Sequence, residues 1–430
     1  MTKVREYLLF QKSTFFLIYN MKIGLLAYHA ACNFGAFLQL LSTVEYIKKI
    51  GDTPIVINWV PKDFREDYER RSLPEVRKLY SKLQQQYYPL SELCETAEDV
   101  ANVIKEQRIQ AVIVGSDAVT QHHPLRGRIV FPCKRIIAIA HPTSDRMFPN
   151  CFWGTFNAYL VKPVPVALIS GSSQDSKFYY IKGKIKEQMK VAIQKYSYVS
   201  VRDEWTRKMI SYLTDDEVFP SITPDPVFAF NQNALHFVPS KEEILKKFCI
   251  PEDYMILSFK GAKSVNQDWI DKFQMLANNK GISCVKLPYA DAPAFGDIQY
   301  SVGDDITPLE WYAIIKYSIG YIGNNMHPIV TSLANGVPFY SFDNYGIVHK
   351  RGEDIDGKSS KIYHILSTSG FLSNRIYIKG TKYKMPLPNQ VFDSVLNFDR
   401  TKELSFAKLY LAKYNEMMTQ VRSSLETILH

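Results

Sequence analysis

Long apolar runs are missing from this chain of 430 residues. The run Phe15 to Tyr19, inside the opening MTKVREYLLFQKSTFFLIYN, falls far short of the roughly 20 residues that a membrane-spanning helix needs. No long apolar region followed by a small-residue cleavage site is found there, so a secretory signal is a poor fit. Cysteine is scarce: Cys32, Cys94, Cys133, Cys151, Cys249 and Cys284 lie far apart, with no C-x-x-C pair and no Cys/His cluster at zinc spacing. A disulfide framework and a structural zinc module are thereby excluded, and reduced, buried thiols in a cytoplasmic protein are expected, with no metal. The net charge of +9 comes without a Lys/Arg block or a nucleic-acid motif, so no nucleic acid partner is expected. Spread charge of this kind reads first as a solvated basic surface, with a bias toward anionic ligands or an anionic membrane face. Low-complexity segments are absent too, as are internal repeats beyond two similar halves.

What is present is an ordinary globular composition, 46% hydrophobic and 22% charged, long enough for two domains with separate cores. Aromatic residues reach 13%, with 27 Tyr and 25 Phe; core packing accounts for most of them, and sugar-facing surfaces are the sharper alternative. From Met21 to Gly51 an apolar strand (Ile23 to Tyr28) enters a small-residue turn containing Asn33 and Gly35. An amphipathic helix follows and ends in Lys48, Lys49 and Gly51, basic residues and glycine being suited to a helix C-terminus. A second strand, Pro54 to Trp59, completes a β-α-β unit and predicts a parallel α/β sheet with ligands at the carboxyl ends of its strands. Further strands are expected at 111–115, 165–170 and 198–202, then at 254–259, 282–287, 319–323 and 337–342. Helices are expected at 308–317, 327–335 and 402–428. The charged segment 62–90 reads as a helical insertion outside the core, and 118–160 as an irregular functional loop. The expected organisation is a 1–20 extension, domains at 21–229 and 230–401, and a helix at 402–430 packing back across the junction. Met21 reads as the functional start, with a short membrane-surface anchor as the alternative for the residues before it.

Several segments also carry a resemblance. MKIG followed by N-F-G-A-x-L-Q, Val112 to Asp117 ending in Gly-Ser-Asp, Ser200-Val201-Arg202-Asp203 with Pro224-Asp225-Pro226, and Gly323-Asn324-Asn325-Met326-His327 with Leu333 to Pro338 occur in that order. Together they resemble the polysaccharide pyruvyl transferase family over roughly residues 21 to 345. The resemblance implies two Rossmann-like domains facing across a cleft, a GT-B-like α/β fold. It implies transfer of pyruvate from phosphoenolpyruvate to sugar hydroxyls, giving a ketal in surface-polysaccharide biosynthesis, with no cofactor beyond the donor substrate. The acceptor would be a sugar or a lipid-linked oligosaccharide, which places the enzyme in the cytoplasm or peripherally at the inner face of the membrane.

That chemistry needs an anion clamp and a general acid or base. His327 follows a strand and opens a helix, where free N–H groups meet anions and an imidazole can handle a proton; its bland alternative is a helix cap. Many family members carry Arg two residues before this His; Asn325 there can donate to a phosphate but brings no charge, so another cation replaces it, backbone amides hold the phosphate, or the donor differs. Arg202 ends a strand, and its fork suits a carboxylate or phosphate; an ion pair with Asp203, Glu204 or Asp225 is the alternative. Lys260 is a third donor contact or a solvated loop lysine. Asn33, Gly35, Gly115, Ser116 and Asp117 are expected on the opposite, acceptor-side wall. Gly35 would allow close approach, and Asp117 would orient a hydroxyl or cap a helix. His122, His123 and His141 read as loop histidines, and Asp304-Asp305 as a cap. The rivals are a GT-B-type glycosyltransferase using a nucleotide sugar, for which Glu310 and Trp311 are the candidate contacts, and a non-catalytic sugar-binding descendant.

Overall fold

The computed structural model describes residues 20–133, 136–261, 265–290, 292–303, 305–347, 357–379 and 383–429. Residues 1–19 and Asp304 lie outside them. The first sheet is built from β1 (Lys22–Leu26), β2 (Thr53–Trp59), β3 (Leu90–Cys94), β4 (Ala111–Asp117), β7 (Val166–Gly171), β8 (Tyr198–Val201) and β9 (Ser221–Ile222). A small antiparallel hairpin, β5 (Ile129–Cys133) and β6 (Ile136–Ile139), stands apart from it. The second sheet holds β10 (Tyr254–Ser258), β11 (Ser283–Lys286), β12 (Tyr300–Ser301), β13 (Gly320–Gly323), β14 (Phe339–Asp343) and β15 (Arg375–Tyr377). The helices are α1 (Phe34–Lys49), α2 (Lys62–Arg71), α3 (Pro74–Tyr87), α4 (Ala97–Gln107), α5 (Lys184–Gln194), α6 (Glu204–Leu213), α7 (Phe230–Asn233) and α8 (Lys241–Phe248). They continue with α9 (Gln267–Asn278), α10 (Pro308–Lys316), α11 (Met326–Asn335), α12 (Lys361–Ser369), α13 (Pro388–Leu396) and α14 (Arg400–Leu429).

Both sheets are wholly parallel, with orders β3-β2-β1-β4-β7-β8-β9 and β12-β11-β10-β13-β14-β15. Their central strands are buried on both faces, which is why they read as continuous apolar runs and not as alternating ones. In each sheet the strand order reverses beside the first strand, between β1 and β4 and between β10 and β13. Open α/β sheets bind ligands at the carboxyl ends flanking such a point.

α1 connects the two halves physically. Asn33 caps it by accepting the Ala36 N–H at 3.1 Å. The helix is buried nearly all round, because it lies on the first sheet and also packs against α7 and α10. Its buried polar groups are satisfied by the segment that ends the first half. Gln39 donates to Asp225 at 2.5 Å, and Ser42 donates to the Pro226 carbonyl at 2.9 Å.

The segment expected to sit outside the core does not do so. α2 is largely surface, but α3 turns Tyr80 and Leu83 into the core, and Tyr88 donates its hydroxyl to the Phe37 carbonyl at 2.9 Å. Two residues on, at Leu90, β3 begins and adds an edge strand to the sheet. The 118–160 region is less irregular than expected, since it contains the hairpin and several short helical turns.

α14 runs against β7, β8 and α11, so it touches both halves. Tyr414, Met417, Met418, Val421 and Leu425 form its buried stripe, and Arg422 holds Asp52 at 2.9 Å. Near its start Glu403 is fully buried, and neither carboxylate oxygen has a hydrogen-bond partner. Burial pushes its pKa up to about 8, with Arg400 opposing weakly. For an acid raised on folding, the native state binds the extra proton, so stability falls as pH rises from the ordinary glutamate value toward 8. Glu403→Gln is therefore expected to stabilise the protein by up to about 3 kcal/mol near pH 7 and by little near pH 4. Urea unfolding of both proteins at the two pH values checks this; an equal gain at both would mean that ionisation is not the cause.

Candidate functional site

The carboxyl ends of both sheets face one cavity of about 360 Å³. From the first half come the β1–α1 turn with Tyr28, Asn33 and Gly35, the end of β4 with Asp117, and Gln121 and Arg146 from the segment after it. The second half contributes Lys260 after β10, Asn324, Asn325 and His327 after β13, Tyr345 after β14, and Lys361 at the start of α12.

A chain of charge runs beneath the cavity floor. Arg202 Nη2 donates to Asp117 Oδ1 at 2.7 Å, and Nη1 donates to Asp225 Oδ2 at 3.1 Å. The arginine side chain is 2% exposed, so its positive charge is sustained by these carboxylates and not by water. Burial pushes the Asp117 carboxyl up, but Arg202, Lys361 and His327 outweigh it and hold the group well below the usual carboxylate range. Asp117 is thus an ionised group at the cavity wall. Its backbone φ of 80° is unusual for a non-glycine residue and is held by the Ser172 N–H, which bonds its carbonyl at 2.8 Å.

His327 sits in the first turn of α11, whose cap is the Asn325 side chain accepting the Met326 N–H at 2.8 Å. The imidazole lies against Gly35. A Cβ on Gly35 would overlap ring atoms Cγ and Nδ1, so glycine is required for α1 of one half to meet α11 of the other. His327 Nε2 is buried and has no hydrogen-bond partner. Burial lowers the ring pKa to about 4, against the pull of Asp225 and Asp117. The site therefore holds a neutral imidazole near an ionised carboxylate, a pairing suited to accepting a proton. Gly35→Ala is expected to displace the His327 ring and to destabilise the α1–α11 contact by about 1–3 kcal/mol. The change should appear as a lowered melting midpoint and shifted His327 ring resonances; unchanged resonances would refute the close contact.

Asn33, Gly35, Asp117, Lys260, Asn325 and His327 line the cavity, and Gly115, Ser116 and Arg202 do not. Gly115, at φ 122°, permits the β7 carbonyl of Ile169 to come close, and Ser116 is buried beside it. These two sit one layer behind the expected wall. The resemblance puts Arg202 on the donor, but its two terminal nitrogens are taken by Asp117 and by Asp225, the ion-pair alternative. In this arrangement it holds Asp117 in place and does not face the cavity. The Asn325 carbonyl oxygen is likewise occupied, by the helix cap and by the Tyr345 hydroxyl at 3.1 Å. His122 is a structural loop residue whose Nδ1 accepts the Phe148 N–H at 3.1 Å.

Sequence reasoning placed the Tyr28–Gly35 turn at the border of a site, and missed Lys361, Arg146 and Gln121. No strand immediately precedes Lys361, so the strand-end rule could not find it. It reaches the site because Ser360, the cap of α12, donates to Asp343 at the end of β14 at 2.7 Å. Among the described residues no group of three His, Cys, Asp or Glu could hold a metal ion, and no helix is long and apolar enough to cross a membrane.

The profile of the family described as "Polysaccharide pyruvyl transferase" matches residues 33–345. Curated proteins give no significant sequence match. Among solved structures, a putative UDP-N-acetylglucosamine 2-epimerase from Listeria monocytogenes is similar at 8% identity, with 95% of this chain and 97% of that chain covered and a TM-score of 0.51. A UDP-GlcNAc 2-epimerase from Neisseria meningitidis bound to UDP-GlcNAc is similar at 10% identity, covering 94% and 100%, TM-score 0.49. A glycosyltransferase from Rickettsia africae is similar at 12% identity, covering 93% and 99%, TM-score 0.41. At such identities the likeness concerns the fold alone, two Rossmann-like domains in the GT-B-like arrangement.

Proposed function

The chain belongs to the polysaccharide pyruvyl transferase family, and from that premise we propose that it transfers pyruvate from phosphoenolpyruvate to two hydroxyls of one sugar, closing a ketal and releasing phosphate. The reaction protonates the donor's methylene carbon, leaving an oxocarbenium-like C2. One sugar hydroxyl adds there and loses its proton; the C2–O bond to phosphate breaks, and the second hydroxyl takes its place and loses its own proton, the two released protons balancing the one gained by the methylene carbon and the one taken up by the leaving phosphate. The observation that supports this reading is His327, a neutral, buried imidazole with an unpartnered nitrogen, near ionised Asp117 in a cavity bordered by Lys260, Lys361 and Arg146. His327 accepts the hydroxyl proton, Asp117 orients the hydroxyl and faces the developing positive charge at C2, and the cations meet the donor's carboxylate and phosphate.

The glycosyltransferase reading would use Glu310 for a ribose and Trp311 for a base. Glu310 caps α10 through the Thr307 N–H at 3.0 Å and pairs with Lys247 at 2.7 Å, and Trp311 is stacked on Phe34 and buried. Glu310 is therefore engaged away from a ribose, whereas Trp311 lines the cavity but is held against Phe34. The acceptor we favour is a sugar or lipid-linked oligosaccharide of surface-polysaccharide assembly; the net charge of +9 suits an anionic membrane face, where the enzyme would sit peripherally on the cytoplasmic side.

Phosphate release from phosphoenolpyruvate, followed with and without candidate glycan acceptors, tests the reading. Release that depends on the acceptor, with a ketal carbon seen by NMR, is the expected result. Consumption of a nucleotide sugar with phosphoenolpyruvate left intact would replace it with the glycosyltransferase reading.

A further inference from the structure

Among the described residues, the hairpin of β5 and β6 pairs with neither main sheet. It leaves and rejoins the first half at the cavity mouth, since Gln121 before it and Arg146 after it both line that cavity. Its register sets Ile129 opposite Ile139. Side chains two apart along a strand share a face, and so do directly paired ones. Ile129, Ile137 and Ile139 therefore form one apolar face, and water covers it. Ile137 is 68% exposed, Ile139 45% and Ile129 38%, and Leu125 just before the hairpin is exposed too.

A two-stranded ribbon standing free in water is marginal at best, and isoleucines left in solvent contribute nothing to folding. The charge around the face indicates what covers it. Between Asp117 and Asp145 the sequence has no Asp or Glu. In the helical turn that leads into β5, Arg126 is exposed and Arg128 half-buried, and Lys177 packs beside Gly127. Three carboxylates stand near the root of the hairpin. Asp63 accepts from Ser144 N and Oγ, both at 2.7 Å, and Asp145 is buried beside Arg146. Asp175 is exposed and its charge reaches His123, with Lys177 two residues on to offset it. Exposed isoleucines bordered by arginines suit a bilayer with anionic headgroups, where apolar burial and charge attraction add. A second copy of the chain suits the face less well, because a two-fold interface would set each basic hairpin against its like.

We propose that the β5–β6 hairpin is a membrane-docking element: Ile129, Ile137 and Ile139 enter the headgroup–acyl boundary of an anionic bilayer, and Arg126 and Arg128 meet its lipid phosphates. This deepens the functional reading and rests on it in one respect, that the acceptor is carried by a lipid. It names the surface that net charge alone leaves undefined. Seated in this way, the cavity mouth between Gln121 and Arg146 opens beside the bilayer surface, where a lipid-linked sugar is held.

Co-sedimentation with vesicles tests the proposal on the full chain, on the paired substitution Ile137→Ser with Ile139→Ser, and on Arg126→Gln. Wild type is expected to bind mixed phosphatidylcholine–phosphatidylglycerol vesicles, and pure phosphatidylcholine vesicles far less. The paired isoleucine substitution should weaken binding by about 10- to 100-fold relative to wild type at low and high salt alike, since apolar burial drives insertion. Arg126→Gln should weaken it about fivefold at low salt and hardly at all at high salt. Both variants should melt with wild type, because the altered side chains are exposed. A lowered midpoint for the isoleucine variant would show those side chains packed against the protein and overturn the proposal. Equal vesicle binding by wild type and both variants also overturns it, as does a wild type that binds neither vesicle. A wild-type dimer that the isoleucine variant dissociates, with no vesicle bound, would assign the face to a second copy and overturn it too. If vesicle binding needs the isoleucines but phosphoenolpyruvate is never turned over, the docking element stands and the pyruvyl-transfer reading falls.

Discussion

Alanine at position 327 is expected to cut turnover by about 10²–10⁴-fold, the usual cost of losing a general base, while the fold survives. No hydrogen bond is lost with the ring, since Nε2 has no partner in the free protein. The contact surrendered is the one with Gly35, at the cavity wall. The direction of the pKa shift defines the role. Burial lowers the imidazole to about 4, so the free protein carries it unprotonated throughout the neutral range. It is then available to take a proton from an acceptor hydroxyl, whereas delivery of a proton to the donor's methylene carbon falls to another group. The His327 ring resonances, assigned by their absence in His327→Ala, should titrate near pH 4. A titration near the ordinary histidine value would show that water reaches the ring in the free protein. Wild-type turnover by His327→Ala would remove the site itself.

Much of this site is legible in the sequence for one physical reason. Parallel strands buried on both faces must be continuous apolar runs, and the residues just beyond them must border the ligand end of the sheet. Ile23 to Leu26, Val112 to Val114 and Tyr321 to Ile322 are such runs, and Asn33, Asp117 and His327 follow them into the cavity. Gly35 is legible as a point of close approach, though not that an imidazole is what approaches. The edge strands escape this logic. β9, β12 and β15 are two or three residues long, and β3 carries Glu92 on an exposed position, so none has an apolar run to betray it. α3 escapes because its polar composition hides a narrow stripe of Tyr80 and Leu83. Lys361 escapes because it is placed through Ser360 and Asp343, a tertiary hydrogen bond with no local pattern. Arg202 shows the limit of the strand-end rule. Its position beneath the site is readable, but its engagement is decided by Asp117, 85 residues away in sequence, and by Asp225, 23 residues away.

That engagement makes Arg202 costly to remove. Arg202→Met is expected to destabilise the protein by about 3–5 kcal/mol, because it leaves Asp117 and Asp225 buried without their common cation. Urea unfolding at pH 7 reads the loss directly. Its pH dependence reads the cause. Asp117 has a folded pKa held below its unfolded value, so it contributes stability that is present above the ordinary carboxylate pKa and is lost as pH falls toward the folded value. The gap between wild type and Arg202→Met should therefore narrow as the pH drops below about 4. A gap that stays constant down to pH 2 would mean that packing, and not charge, is what the arginine provides. Arg202→Lys separates positioning from donor binding. One ammonium cannot bridge two carboxylates as the planar fork does, so Asp117 loses its orientation while the local charge persists. The expected signature is a fall in kcat larger than the rise in KM for phosphoenolpyruvate, since Arg202 does not line the cavity. The opposite split, with KM raised and kcat kept, would return Arg202 to direct contact with the donor and require Asp117 to release it when the donor binds.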